Sequence, residues 1–376
     1  MRKLYFLFEK IPNPQSGGLV TMYKRLEKLL SDTYDIRIIS IFNCPDEYKK
    51  QFSSECIIIN KVEIDNQFLK ILEHIKKLDI KKIAICIFSM IKYFFYIPFT
   101  RKKLAKLIND EDSTIVSCPA AGIFMTSKKN FILEIHSKYD FFWEGSFTAK
   151  LQIKLMTHPN LIIFRNNIDA LKGCKHFPSE YIYNFFDNKS IKINNDYKKR
   201  NNRFIFIARF SEEKDPIRLL NIFIDVVKKN KSIILDIYGQ GSLEKEIREF
   251  IQKNNLDKNV FLKGFIDDKN IYANYSALLI TSKSEGFPLT VIEAKANGIP
   301  TISTRWGEAV IETINNGVDG FIVENNEEFV NKVLLLANNE DMLRLLSRGA
   351  QKDFERFNVK NAKQKYINVI EKIHDL

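Results

Sequence analysis

Short apolar runs of strand length recur along this chain and alternate with stretches of helical periodicity. In the first half, the runs that predict strands are Leu4–Phe8, Ile36–Ile41, Cys56–Ile59, Thr114–Ser117, Phe131–Ile135 and Leu161–Phe164. Parallel strands need a helix-length connection between them, so this alternation is typical of a parallel sheet covered by helices. The pattern therefore predicts an α/β fold.

A polar stretch rich in Asn and Lys, DNKSIKINNDYKKRNNR at residues 187–203, interrupts the alternation and is predicted to be an interdomain linker. Beyond it, a second series of strands is predicted: Phe204–Ala208, Ile233–Tyr238, Val260–Leu262, Ala277–Ile280, Pro300–Ser303 and Phe321–Val323. We expect two Rossmann-like domains, over residues 1–186 and 204–358, followed by an amphipathic C-terminal helix within 359–376. Such sheets bind ligands at the carboxyl ends of their strands, so a cleft between facing domains is the expected site.

The composition is that of a globular protein long enough for two domains. The chain has 376 residues, of which 45% are hydrophobic and 28% charged. The five cysteines are scattered and lack C-x-x-C spacing: Cys44, Cys56, Cys86, Cys118 and Cys174. We therefore expect reduced thiols in a cytoplasmic protein. The first apolar run is ended by Glu9, too early for a signal peptide, and is predicted to be a strand.

The net charge of +12 is concentrated in the first half of the chain. Residues 1–190 carry 29 Lys and Arg against 20 Asp and Glu, whereas the remainder carries 29 against 26. No nucleic-acid-binding signature accompanies this charge, so nucleic acid is not an expected partner. The apolar segment Ile83–Phe99, which contains Lys92 and Pro98 and is short for a membrane span, precedes a basic cluster at residues 101–106. Together they favour a peripheral site on an anionic membrane surface, the inner face of the plasma membrane; the alternative is that the lysines only keep the fold soluble.

Candidate chemistry is densest in residues 281–300, TSKSEGFPLTVIEAKANGIP. Glu285 and Glu293 are eight residues apart, around a turn, Gly286-Phe287-Pro288, that is predicted to open a helix running to about Asn297. Pro288 suits the first helical position, where no N–H is needed. A helix start offers backbone N–H groups and a positive dipole end to a phosphate, and carboxylates accept hydrogen bonds from hydroxyls. Phosphate together with hydroxyls describes a sugar nucleotide.

This stretch resembles the E-x7-E signature of retaining glycosyltransferases of the GT-B fold, family 4. The resemblance implies that Glu285 contacts the donor sugar and Glu293 the nucleotide ribose. It adds the turn at Gly286, Phe287, Pro288 and Leu289 to the donor site. It also implies that the C-terminal helix crosses back to the first domain. The backbone of Gly264 and Phe265 would then face the nucleotide base.

A second motif is FIARFSEEKD at residues 206–215, at the end of the first strand of the second domain. Arg209 and Lys214 lie on the loop entering the next helix, where both reach one anion. The family has a matching Arg and Lys that bind the donor diphosphate. This chain has Ala208 where the family often has Gly, and Asp215 where a Gly commonly follows the Lys; the charges are kept.

Three glycine-containing turns complete the pattern. Gly17 and Gly18 follow the first strand and resemble the N-terminal glycine loop of the family, which approaches the donor. Gly239-Gln240-Gly241 lacks the third glycine of a dinucleotide fingerprint and is predicted to be a structural turn. Trp306-Gly307-Glu308 stands where the family usually has a Gly-Gly pair, so no contact is assigned to that loop.

His136 ends a buried strand of the first domain and is expected to point into the cleft. Related enzymes carry a His there that contacts the donor sugar or positions the reacting groups. The other histidines show no metal spacing and no H-E-x-x-H or DxD-type motif occurs. GT-B enzymes generally need no bound divalent ion, so no metal or other cofactor is expected.

The sequence thus predicts a retaining glycosyltransferase that moves a sugar from a nucleotide donor, expected to be UDP-linked, to an acceptor hydroxyl. Catalytic roles fall to Glu285, His136, Arg209 and Lys214. The abundance of Lys, Asn and Ile suggests a bacterial source, and by analogy an acceptor glycan, free or lipid-linked, in cell-surface polysaccharide synthesis such as capsule, O-antigen or teichoic acid. The alternatives are a GT-B sugar-nucleotide epimerase or hydrolase, and a non-catalytic protein that only binds a nucleotide sugar.

Overall fold

Two all-parallel sheets organise the chain, one in each of two structural units. The computed structural model describes residues 1–14, 18–64, 79–127, 129–194, 196, 200 and 202–374. The first unit comprises residues 1–182 together with 363–376, and the second comprises residues 183–362. The two domains predicted from the sequence are therefore present.

The first unit contains a seven-stranded sheet of order β3-β2-β1-β4-β5-β6-β7. Its strands are β1 Lys3–Phe8, β2 Asp35–Phe42, β3 Cys56–Asn60, β4 Ser113–Val116, β5 Phe131–Ile135, β6 Leu161–Phe164 and β7 Ser179–Tyr181. Its helices are α1 Gly18–Leu30, α2 Asp46–Lys49, α3 Ile80–Leu107, α4 Pro119–Gly122, α5 Tyr139–Trp143, α6 Phe147–Leu155 and α7 Asn167–Gly173. All residues of β4, β5 and β6 are buried, as expected for strands covered on both faces.

The second unit contains a six-stranded sheet of order β10-β9-β8-β11-β12-β13. Its strands are β8 Arg203–Ile207, β9 Ile234–Tyr238, β10 Val260–Gly264, β11 Ala277–Ile280, β12 Thr301–Thr304 and β13 Gly320–Val323. Its helices are α8 Pro216–Lys229, α9 Glu244–Lys253, α10 Leu289–Ala296, α11 Val310–Thr313, α12 Asn326–Asn338 and α13 Glu340–Phe354, with 3-10 turns at Ile271–Asn274 and Glu355–Phe357. The last helix is α14, Val359–Lys372.

Both sheets reverse their strand order once, between β1 and β4 in the first unit and between β8 and β11 in the second. Successive side chains of β8 enter the two cores in turn, Phe204 and Phe206 on one face and Ile205 on the other. Loops that leave neighbouring strands at such a reversal diverge to opposite faces and leave a crevice at the carboxyl edge.

Strand positions agree closely with the sequence pattern, and β5, β6 and β11 agree residue for residue. Strand β7 was not predicted, because its three residues, Ser179–Tyr181, are only partly buried and form no apolar run.

The stretch 187–203 falls within the second unit, residues 183–362, and its role as a linker stays a prediction. Some of its described polar side chains make contacts within that unit, while others, such as those of Lys189 and Lys192, are exposed. Arg200 is fully buried and donates to the carbonyl of Gly298, while Asn194 donates to the carbonyl of Ala273.

The C-terminal helix α14 contributes its residues from Lys363 onward to the first unit, so the chain does return there. Tyr366 on this helix is fully buried and donates to the Glu134 carboxylate on β5 at 2.6 Å. Glu371 accepts hydrogen bonds from Tyr34 at 3.0 Å and from Arg2 at 3.1 Å. The first unit is therefore built from both ends of the chain.

A buried triad of ionic side chains joins α10, the loop before β13 and α13 in the second unit. The ammonium group of Lys295, 1% exposed, lies 2.9 Å from Asp319 and 2.6 Å from Asp353. Asn315 donates to both carboxylates. Because both acids and the lysine are desolvated, loss of one partner leaves uncompensated charge.

We expect Lys295→Met to lower the free energy of unfolding of the second unit by about 3 kcal/mol, since buried Asp319 loses its cation and Asp353 keeps only its pair with Arg356. Urea unfolding is followed by the fluorescence of Trp306 in a Trp143→Phe background. The control Lys245→Met, at a side chain 88% exposed, should change the free energy by less than about 0.5 kcal/mol. Equal effects of the two substitutions would contradict a structural role for the triad.

Candidate active site

Lys214 and Glu285 meet at the strand reversal of the second sheet. Lys214 follows β8 and Glu285 follows β11, and these strands are parallel neighbours. The Lys214 ammonium lies 2.6 Å from one oxygen of Glu285, and the Ser282 hydroxyl donates to the other at 2.6 Å. Glu285 is 9% exposed. A largely buried carboxylate is thus held in place by one cation and one hydroxyl.

The two loops that carry this pair are tied to each other through the backbone. The hydroxyl of Thr281 donates to the carbonyl of Asp215 at 2.9 Å, and the amide of Lys283 donates to the carbonyl of Glu213 at 2.8 Å. Asp215 caps α8 by accepting from the amide of Arg218 at 3.2 Å. Lys214 is therefore positioned from both sides.

Asp215 has a φ of +48°, in the left-handed region. Gly occupies this region without steric cost, and Asp and Asn do so more readily than other residues. The departure from the usual Gly at this position therefore keeps the backbone conformation, and the Asp side chain adds a helix cap.

The turn after Glu285 differs in one detail from the prediction. Pro288 is the residue that precedes the helix, with φ −69° and ψ 120°, and α10 begins at Leu289. Phe287 is 4% exposed, and its ring stacks on Tyr183 at 5.0 Å. The carbonyl of Phe287 accepts from Asn184 at 2.7 Å. The side chain of Phe287 thus anchors the turn, and its backbone N–H is the group that remains for a ligand.

Glu293 lies within α10 and is 3% exposed. One of its oxygens accepts from the hydroxyl of Tyr272 at 3.1 Å and lies 3.4 Å from the ammonium of Lys269. Both glutamates of the motif are therefore buried carboxylates with a cation and a hydroxyl beside them. This is not the environment of solvated helix-surface charges.

Arg209 lies on the same loop as Lys214 but is more exposed. Its guanidinium, 55% exposed, forms a loose ion pair with Glu213 at 3.6 Å. An exposed pair of this kind contributes little to stability, so the side chain is free to reorient toward an anion at small cost.

The glycine turn of residues 239–241 has the structural role predicted for it. Gly239 has φ +144°, and a Cβ there would lie 1.9 Å from the carbonyl oxygen of Ala208. Its amide donates to the carbonyl of Gly264 at 2.8 Å. Gly264 has φ +77° with open space around it, and the ring of Phe265 beside it is 64% exposed. The end of β10 thus offers backbone groups and an aromatic face to a planar ligand.

In the first unit, His136 directly follows β5 and joins a buried ionic cluster. Its Nε2 lies 3.1 Å from Glu134 and 3.3 Å from the guanidinium of Arg165, which follows the neighbouring strand β6. Arg165 pairs with Glu134 at 2.6 Å, and Tyr366 contacts both residues. The ring of Tyr23 lies 5.7 Å from the imidazole ring.

The cluster fixes the charge states of its members. Burial by itself would raise the pKa of Glu134, but Arg165 and the hydrogen bonds from His136 and Tyr366 lower that pKa well below its usual range. Burial and the charge of Arg165 lower the pKa of His136, against the opposing effect of Glu134. His136 is therefore a neutral imidazole at neutral pH, able to donate or accept a hydrogen bond.

Other predicted positions fall outside these clusters. Gly17 lies outside the described residues, and Gly18 is the first residue of α1. Trp306 is 2% exposed and packs in the core, while Glu308 is exposed. In the described part of the chain, no three His, Cys, Asp or Glu side chains converge as metal ligands.

Sequence reasoning missed the partners that hold the predicted residues. Ser282 lies three positions before Glu285 and Glu134 two before His136, so local sequence offered a signal for both. Lys269, Tyr272, Arg165 and Tyr366 come from distant segments with no motif of their own. Only the fold brings them into contact.

Comparisons with known proteins agree with this geometry. Residues 187–353 match the family model described as Glycosyl transferases group 1, and this range contains Lys214, Glu285 and Glu293. The chain also superposes on crystal structures of GT-B proteins. TarM of Staphylococcus aureus matches with a TM-score of 0.76 and 17% identity, over 98% of this chain and 100% of TarM. HepE of Anabaena matches with a TM-score of 0.76 and 15% identity, over 99% of this chain and 100% of HepE. The chain therefore has the GT-B fold, and its residues 187–353 are similar to the Glycosyl transferases group 1 family.

The curated relatives have higher sequence identity than these structures, but two of the three are covered only in part. The poly(ribitol-phosphate) α-N-acetylglucosaminyltransferase of S. aureus is 26% identical over 71% of this chain and 57% of its own length. The amylovoran biosynthesis glycosyltransferase AmsD of Erwinia amylovora is 22% identical over 93% of this chain and 94% of its own length. The poly(glycerol-phosphate) α-glucosyltransferase of Bacillus subtilis is 30% identical over 42% of this chain and 24% of its own length.

The charge state of His136 gives a pH-dependent prediction. The pKa of His136 in the folded protein is lowered from its value in the unfolded chain, about 6.5. As the pH falls below 6.5, the unfolded chain takes up a proton first, so the contribution of His136 to the free energy of unfolding decreases. In an NMR titration, the imidazole signal absent from His136→Gln should titrate below pH 6.5. Titration of that signal above pH 6.5 would contradict the environment described here.

Proposed function

We propose that this protein is a retaining glycosyltransferase of family 4 that moves a sugar from a nucleotide-sugar donor to an acceptor hydroxyl. The observation that carries the proposal is the Lys214–Glu285 pair, 2.6 Å apart at the strand reversal of the region similar to the Glycosyl transferases group 1 family. A cation that can bind phosphate and a buried carboxylate that can accept from hydroxyls lie side by side there. A sugar phosphate presents a phosphate and a hydroxyl on adjacent carbon atoms.

Departure of the diphosphate is the step that needs most electrostatic help. The bond between the anomeric carbon and the phosphate oxygen breaks, and negative charge grows on the diphosphate. Lys214, Arg209 and the start of α10 at residues 286–289 are the groups that would stabilise this charge. Because Lys214 is already held by Glu285 and by its loop contacts, little reorganisation is needed when the charge develops.

The two glutamates divide the remaining contacts. Glu285, beside Lys214, would accept hydrogen bonds from sugar hydroxyls and orient the anomeric carbon. Glu293, with Tyr272 and Lys269 beside it, would accept from the ribose hydroxyls. The base would contact the backbone at Gly264 and the exposed ring of Phe265. His136, neutral and oriented by Glu134 and Arg165, would contact the donor sugar from the first unit.

In a retaining transfer the acceptor oxygen forms its bond on the face that the diphosphate leaves. We assign no protein carboxylate as nucleophile, since Glu285 is engaged by Lys214 and Ser282. The acceptor hydroxyl proton then passes to the departing phosphate oxygen, which balances the exchange. Glu285 accordingly acts by orientation and charge.

The names of the relatives support a donor and an acceptor class. Two of them transfer N-acetylglucosamine or glucose to polyol-phosphate polymers, a third acts in amylovoran biosynthesis, and the structures of TarM and HepE were solved with UDP. We propose a UDP-sugar as donor and a bacterial cell-surface glycan, free or lipid-linked, as acceptor in the cytoplasm.

We propose that transfer needs no metal, because lysine and arginine supply the positive charge beside the diphosphate. Activity assayed in excess EDTA should equal activity without chelator. A loss of more than about tenfold that Mg²⁺ or Mn²⁺ restores would contradict this assignment.

The site variants separate charge stabilisation from ribose binding. We expect Lys214→Met and Glu285→Gln each to lower kcat by about a hundredfold or more, because each removes preorganised charge at the reacting bond. Glu293→Gln should mainly raise KM for the donor, by about tenfold, since it loses a charged hydrogen bond to the ribose. Release of UDP or GDP, from a donor chosen by thermal shift out of a panel of UDP- and GDP-sugars, provides the measurement.

Glu246→Gln, at an exposed position of α9, is the matched control and should leave both constants unchanged. Lys214 and Glu285 are in contact, so the double variant should lose less than the product of the single losses. Full transfer activity of Glu285→Gln would overturn the mechanism. Rapid hydrolysis or epimerisation of the donor without acceptor would identify the alternative enzymes, and donor binding without turnover the non-catalytic protein.

A further inference from the structure

Helix α3, Ile80–Leu107, presents large apolar side chains to solvent along most of its length. Seven exposed apolar residues share one face, because Ile80 lies two helical turns before Ile87 and the others follow at spacings of three or four: Ile80, Ile87, Phe88, Ile91, Phe94, Phe95 and Phe99, with exposures of 80%, 41%, 69%, 60%, 41%, 62% and 53%. From Ile80 to Phe99 this face is about 28 Å long. We call it the α3 apolar face. An apolar surface of this extent marks an interaction site.

The opposite face of α3 is packed into the first unit. Cys86, Tyr93, Thr100 and Leu104 are buried, and the hydroxyl of Tyr93 donates to the carbonyl of Ala120 at 3.2 Å. The helix is long and apolar enough to cross a membrane by composition alone, yet these contacts make it a layer of a folded domain. A helix fixed in this way presents only its outer face to a partner.

The charged residues of helix α3 itself have a single sign, and the acid at its N-cap, Asp79, pairs with Lys82. The helix contains seven Lys and Arg residues and no Asp or Glu. Arg101 and Lys103 are used internally, in hydrogen bonds to the carbonyls of Ile123 and Ile59. Lys81, Lys102 and Lys106 are exposed and lie at the two ends of the apolar face. The face is thus bounded at both ends by cations.

The neighbouring helix α6, Phe147–Leu155, repeats this composition. Its buried Ala149 belongs to the same core cluster as Tyr93 and Leu104 of α3, so both helices cover the same side of the sheet. On α6, Phe147 is 70% exposed and its two charged residues, Lys150 and Lys154, are exposed lysines.

We propose that the α3 apolar face docks the first unit on an anionic phospholipid bilayer, with α3 lying parallel to the surface at the level of the headgroups. Apolar side chains enter the acyl boundary while the flanking lysines bind lipid phosphates, as in interfacial helices. A second copy of this chain fits less well, because a symmetric contact would set lysines against lysines. This inference concerns binding only and does not depend on the proposed transfer.

Vesicle co-sedimentation of the full chain is the direct test. We expect binding to vesicles with 30% phosphatidylglycerol in phosphatidylcholine and about a hundredfold weaker partitioning to pure phosphatidylcholine. The variant Lys81→Gln/Lys102→Gln/Lys106→Gln should lose about a hundredfold on anionic vesicles. The matched control Lys228→Gln/Lys245→Gln/Lys258→Gln removes three exposed lysines of the second unit and should bind as the parent does.

The apolar contribution is tested separately. Phe88→Ser/Ile91→Ser/Phe95→Ser removes side chains that are already more than half exposed, so the fold should be kept and circular dichroism should be unchanged. Binding to anionic vesicles should fall at least a hundredfold. The control Val318→Ser/Leu345→Ser, at exposed apolar positions of the second unit, should bind normally.

The depth that α3 reaches in the bilayer distinguishes surface docking from a membrane-spanning helix. Phe88→Trp should shift its emission to the blue on binding and be quenched most by lipids brominated near the headgroups, and carbonate at high pH should release the protein. Quenching mainly at the bilayer centre, or resistance to carbonate, would overturn the proposal. So would equal binding of the parent and both α3 variants, or an oligomer in solution that the serine variant dissociates.

Discussion

The parallel pairing of β8 with β11 is the constraint on which the candidate site depends. The register Ala277 to Phe204 and Leu278 to Ile205 ends both strands at one edge of the sheet. The loops that follow carry Lys214 and Glu285, which are separated by 71 positions in the chain but only 2.6 Å in space. The remaining contacts of these loops, the capped turn at Asp215 and the stacked Phe287, serve to keep that distance.

Burial of carboxylates is the energetic problem that both units solve in the same way. Glu285, Glu293 and Glu134 are each almost inaccessible to water, and each has a cation and a hydroxyl group as partners. A buried charge without such partners would cost several kcal/mol, roughly the whole margin of a domain's stability. The partners therefore offset the cost of burying carboxylates at positions where they accept hydrogen bonds from hydroxyls.

Departures from the usual family sequence have local physical explanations. Asp215 replaces a Gly and keeps the left-handed backbone that the Gly would adopt. Trp306 fills the core next to Ala309 and Val310, so its loop is held by packing. In the polar stretch before β8, composition does not distinguish a solvated side chain from one that satisfies a buried carbonyl. Arg200, fully buried, is the clearest case.

The sequence by itself determined the alternation of strands and helices, the α/β class and the identity of the motif residues. These are local properties: apolar period, turn residues and the spacing of Glu285 and Glu293 are read within about 20 positions. Only the tertiary structure decided which side chains hold the motif residues, since Tyr272, Lys269, Arg165 and Tyr366 reach them through strand order and helix packing. It also decided that α3 is buried on one face and exposed on the other. An apolar helix that is half exposed differs from a fully buried one only in what surrounds it.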